Sequence, residues 1–187
     1  MEAIHAESAH IAITRANGIT RTQTAPQTGG PIRGQSAVIR LAGDTWEELL
    51  MLDRDMLHVA FPRTANDAKA KDKKEGEEVK ELRGLFRAAR EYGRLDALAS
   101  EGRASAPPYD PRLEALAPFA RGSRKVALHA DNAQTILNAL RFASEEKLAA
   151  VLYGASEGWK VVEAIAREKL PVVVGPVLAL PSSRYDP

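Results

Sequence analysis

Residues 124–176 constrain the fold more than any other stretch. RKVALHA (124–130) reads as a strand, NAQTILNALRFASEE (132–146) as a helix and KLAAVLYG (147–154) as a strand. SEGWKVVEAIAREK (156–169) follows as a helix capped by Ser156, and LPVVVGP (170–176) as a third strand. Strands that are short, apolar and unbroken, each separated by a helix, predict consecutive βαβ units and a parallel sheet covered by helices. The expected fold class is therefore α/β.

The remainder is less regular. SAHIAITRAN (8–17) predicts a helix with Ser8 as N-cap, and ITRTQTAP (19–26) a strand. QTGGPIRG (27–34) reads as a glycine-rich loop, SAVIRL (36–41) as a strand, DTWEELLML (44–52) as a short helix and MLHVAF (56–61) as a strand. VKELRGLFRAAREYGRLDALA (79–99) carries apolar residues at helical spacing after the charged run 64–81. The whole span of about 64–104 is expected to be a helical, charged insertion in a single domain covering 1–187. SAPPYDP (105–111) predicts a loop ending with Pro111 at the first position of a helix through Arg121.

Composition closes several function classes. With 26 basic and 25 acidic residues the net charge is +1, which favours neither nucleic acid nor an anionic membrane as partner. No apolar run approaches the ~18 residues of a membrane-spanning helix. There is no cysteine, which excludes disulfides, thiolate metal sites and a cysteine nucleophile. The first residues lack the layout of a signal peptide, and localisation is not assigned. GGPIRGQ (29–35) has neither phosphate-loop nor dinucleotide spacing, and there is no GxSxG elbow.

In parallel sheets, functional groups gather beyond the carboxyl ends of the strands. His129 lies at such an end, Tyr153 and Gly154 end the next strand, and Gly175 the one after. His129 has two readings: a side chain that caps the strand and bonds Asp131 or a loop carbonyl, or a metal ligand or acid–base group. On the residues alone the first is favoured. His5 and His10 read as exposed, His58 as a packed strand residue, and Trp46 and Trp159 as core. No HxH, HExxH or histidine–carboxylate cluster has metal-ligand spacing.

Several segments in order resemble one family: RANGIT-x-x-x-x-AP-x-x-GG-x-I-x-GQSAVI (15–39), TWEELL (45–50), HVAFPR (58–63), HAD-x-x-x-x-I-x-x-ALRFA (129–143) and GWKVVEAIAREKLPVVVGPVLALPSSRYDP (158–187). The pattern resembles the amidohydrolase superfamily, and within it the imidazolonepropionase-like amidohydrolases, whose members are often secreted. The resemblance implies a (β/α)8 TIM-barrel with divalent metal, zinc in the first instance, at the strand tops. It also implies hydrolysis of amide or cyclic-amide C–N bonds in a small-molecule substrate by metal-activated water. His129 matches the metal-binding histidine of the family's fifth barrel strand, which turns its reading from cap to ligand. Gln35, by its place after a strand, and Tyr153 become candidates to line the substrate pocket, with a loop-stabilising amide an equal reading of Gln35.

The departures from the family pattern matter equally. Its first-strand HxH pair falls before residue 1, Tyr153-Gly154 replaces a further histidine, and the catalytic aspartate falls after Pro187. A barrel of this type needs ~250 residues, so the expectation is a partial barrel, roughly strands two to seven, inactive alone and prone to associate with other copies. The alternative is a non-catalytic α/β binding module that kept the scaffold without the metal site.

Overall fold

In the computed structural model, which describes residues 4–26, 29–62 and 76–175, the apolar runs of the sequence lie side by side. The elements in chain order are α1 (Ala9–Ala16), β1 (Arg21–Thr24), β2 (Ile32–Gln35), β3 (Ala37–Arg40), α2 (Trp46–Leu49), β4 (Leu50–Leu52) and β5 (Met56–Ala60). They continue with α3 (Glu77–Ser100), α4 (Pro111–Ala120), β6 (Lys125–Ala130), α5 (Ala133–Glu145), β7 (Ala149–Gly154), α6 (Val162–Glu168) and β8 (Val172–Val174). Strands β5, β6, β7 and β8 are parallel neighbours, and β2 joins β5 antiparallel at the edge, giving the order β2-β5-β6-β7-β8. A separate antiparallel sheet, β1-β3-β4, carries its own small core of Ile39, Leu41 and Leu49.

The parallel sheet is two-faced. Its register aligns Val59 with Leu128 and Leu128 with Leu152, so Leu57, Val59, Val126, Leu128, Ala130, Ala150 and Leu152 all point one way. These residues join the buried side chains of α3, α4 and α5 in one cluster, in which Phe142 meets Phe61 and Phe86 edge to face. The opposite face presents His58, Ala127, His129, Val151 and Tyr153, and contributes nothing to that cluster. Among the described residues, helices thus cover one face of the sheet, and its edge strands β2 and β8 do not pair with each other. The parallel strands expected over 124–176 are present as β6, β7 and β8, and β2 and the β1-β3-β4 sheet add antiparallel strands beside them.

Four local expectations also change. The glycine-rich loop contains a strand, because 32–35 pairs with β5; the register slips between Ile32 and Gly34, where Gly34 has φ +121° and a Cβ would strike Pro26. The helix expected over 44–52 lasts one turn, capped by the Thr45 hydroxyl, because Leu50–Leu52 pairs with β3 instead. Ser156 does not cap a helix: its hydroxyl donates to Asp131, the chain makes a 3-10 turn over Gly158–Val161, and α6 begins only at Val162. Trp159, expected in the core, is 71% exposed.

The insertion expected over 64–104 is different in kind from 77 onward, while 63–75 lies outside the described residues. Val79, Leu82, Phe86, Ala89 and Gly93 of α3 are buried, so this helix is part of the core wall. An ion cluster also fixes it. Glu146, just past α5 and with a side chain only 1% exposed, accepts hydrogen bonds from Arg83 at 2.8 Å, Arg87 at 3.0 Å and Arg90 at 3.2 Å. Burial raises the Glu146 carboxyl's pKa, but the hydrogen bonds from Arg87 and Arg83 outweigh it and hold the group below the ordinary glutamate value. α4 begins as expected, with Pro111 in its first turn and the Asp110 carboxylate accepting from the amides of Arg112 and Leu113.

Candidate functional site

β6 delivers His129 to the carboxyl edge because the strand runs one residue further, to Ala130, before Asn132 starts α5. Asn132 caps that helix, its side chain accepting from the Thr135 amide at 2.8 Å, while Glu157 accepts from the Ala133 amide at 2.8 Å. The edge is tightly folded back: the Ala155 amide donates to Ala130, and the Gly175 amide to Gly154 at 2.8 Å. His129, Gly154 and Gly175 therefore share one end of the sheet, as expected. Gly154 adopts φ +91°, and the Asp131 carboxylate packs where its Cβ would be, so only glycine fits there.

His129 is not alone. The register puts it opposite Ala60, so His58 lies two residues back on the same face of the neighbouring strand. His58 Nδ1 and His129 Nε2 are 2.9 Å apart, one imidazole donating to the other. The Tyr153 ring lies 5.1 Å from that of His129 and 5.5 Å from that of His58. Its hydroxyl donates to Gln23 at 2.8 Å, and the Gln23 amide donates to Asp55, tying the antiparallel sheet to the histidine face.

Both imidazoles are held neutral. Burial, then the neighbouring His58 and Arg33, lower the His129 pKa to about 4, with Asp131 opposing. Burial likewise lowers that of His58, against Asp55 and with Arg33. A neutral imidazole has one donor and one acceptor nitrogen, which the pair uses between them. His58, 3% exposed, leaves its other nitrogen, Nε2, buried with no partner.

That orphaned nitrogen invites a metal, but the donor set does not complete one. Among the described residues no group of three or more histidines, cysteines, aspartates or glutamates could hold a metal ion. His129 already turns Nε2 toward His58, and a catalytic zinc ordinarily takes three protein ligands. His5 and His10 are exposed at the start of the chain and do not join the pair. The described residues therefore do not fit the zinc site that the resemblance implies.

Two cavities flank this region. One of about 660 Å³ opens at the carboxyl edge and is lined by His129, Asp131, Arg33, Glu78, Glu81 and Phe61, among others. The second, of about 800 Å³, is lined by Gln35, Trp46, Asp53, Arg54 and Arg112, residues from before the start of β5 and from α4. The structure thus brings Tyr153 to His129 but places Gln35 at a different cavity. His58, read from sequence as a packing residue, is both packed and paired. The signal that could have found it is a second histidine on a strand of the same apolar type.

No family model matches the chain, and no curated protein matches it. The structure is similar to the crystal structure of an amidohydrolase from Thermotoga maritima MSB8, with a TM-score of 0.77 and 27% sequence identity. The likeness covers 92% of this chain but 47% of that one, so the chain spans about half the neighbour's length. The fold is amidohydrolase-like, and the likeness supports a relation to the hydrolases at that level.

Proposed function

We propose that the chain carries part of a hydrolase of the amidohydrolase kind, acting on non-peptide or cyclic amide C–N bonds of a small molecule. The observation that supports this most is the His58–His129 pair on the helix-free face at the carboxyl edge of a parallel sheet, in a fold shared with an amidohydrolase. The finer readings, an imidazolonepropionase-like subfamily, a partial (β/α)8 TIM-barrel and zinc at His129, belong to this proposal. Any metal would require ligands beyond those the described residues hold. What these residues themselves supply is a neutral imidazole pair oriented by packing, a tyrosine fixed through Gln23, and a cavity beside them.

Two observations favour a second reading, a binding module without catalysis. The described residues hold no three-ligand group, and the Tyr153 hydroxyl is committed to Gln23 rather than turned to a ligand. The two readings separate in zinc titration with a parallel hydrolysis assay on cyclic and N-acyl amides. The hydrolase reading expects weak zinc binding that His129→Asn abolishes, and metal-dependent hydrolysis once a longer form supplies the remaining ligands. Zinc binding that ignores His129, or no hydrolysis in any form, leaves the binding module.

A further inference from the structure

We propose that the cavity beside His129 takes ligands bearing a protonated amine or amidinium next to an apolar body. This rests on reading the carboxyl edge as the substrate side of the site. Three carboxylates line that cavity, Glu78 and Glu81 on one side of α3 and Asp131 at the end of β6, against the single guanidinium of Arg33. Its walls are apolar: Ile32, Phe61, Leu82 and Leu85. The volume of about 660 Å³ suits a small molecule.

The neighbouring helix end does not reverse the sign of the site. A helix amino terminus ordinarily attracts anions through its free amides. At α5 two of the three free amides are taken, Ala133 donating to Glu157 and Thr135 to the Asn132 side chain. The Glu157 carboxylate adds negative charge there as well. Independently, Thr135 lines the cavity, is 2% exposed, and has a hydroxyl Oγ1 with no partner. An unpaired buried hydroxyl is costly, and an N–H⁺ donor reaching into the cavity would satisfy it.

The test uses three isosteric probes that differ in charge: benzamidine, benzamide and benzoate. Each is titrated into the full chain at low salt while amide chemical shifts are followed. Benzamidine is expected to bind about tenfold more tightly than benzamide, the sum of a few exposed charge interactions, with shifts centred on Ala130 and Thr135. The preference should fall toward unity in the Glu78→Gln/Glu81→Gln double variant, whose exposed positions leave the fold intact, and persist in Glu163→Gln on α6. Equal affinities, a preference for benzoate, binding by none of the three, or a preference that survives the double variant would each overturn the proposal. Cation preference without hydrolysis in any form would remove the hydrolase reading and leave this one standing; hydrolysis without cation preference would do the reverse.

Discussion

Alternate residues of the same strands live in two environments. Leu57, Val59, Val126, Leu128, Ala150 and Leu152 meet three helices and form a close-packed aliphatic wall. One residue away along each strand, His58, Ala127, His129, Val151 and Tyr153 face the other side, where small residues make room for rings and hydrogen bonds. The pleat of a strand makes this separation available without any change of backbone. The close apolar packing therefore resides on one face and the ring contacts and side-chain hydrogen bonds on the other. The histidine face can change its polar groups without disturbing the packing that positions them.

The most direct way to break the comparison is to truncate the helix-covered face. Leu128→Ala, at a residue 1% exposed, should cost about 2–5 kcal/mol in denaturant unfolding. A loss below 1 kcal/mol would mean that the helices do not pack as described. Next is Gly154→Ala at the edge between the faces, which forces a side chain into the left-handed region and against Asp131. About 1–3 kcal/mol should be lost, visible as a lower Tm. On the histidine face, Tyr153→Phe removes only the bond to Gln23 and should cost about 0.5–1.5 kcal/mol, with the helix-face amides unshifted.

The smallest effect at neutral pH, and the sharpest test of the histidine face, is a pH slope. The folded His129 pKa lies near 4 against an ordinary 6.5. Between those values the unfolded chain binds more protons, so stability is full above about 6.5 and declines as pH falls toward about 4. His129→Asn should match the wild-type trend at pH 8 and flatten the decline below 6.5. An unchanged slope would show that the pair carries no such shift. Glu146 contributes the same sign in a lower window, its stabilisation being lost as pH falls through its depressed carboxyl pKa.

The parallel half of the fold was legible in the sequence because each strand is an apolar run bounded by a helix cap or a turn. β2 and β4 were not. Ile32–Gln35 holds a glycine, and Leu50–Leu52 continues a helical pattern; both become strands only because β5 and β3 offer antiparallel partners. At the site, His129 was placed by its strand end, and Tyr153 followed from the next strand. The pairing with His58 could not be read, since it depends on register, and a slip of one residue would turn His58 to the helices. Gln23 comes from the other sheet and Asp55 from the turn just before β5, and no local pattern announces their approach.

The Glu146 cluster has one more consequence, for how this chain tolerates change. α3 is held by arginine side chains and by its buried apolar stripe. Arg83, Arg87 and Arg90 share one buried carboxylate, so a single substitution at Glu146 leaves three guanidiniums without their common partner, whereas losing any one arginine leaves two in place. The tolerance is therefore lopsided: wide along the arginine row of α3, and narrow at the one residue past α5 that gathers it.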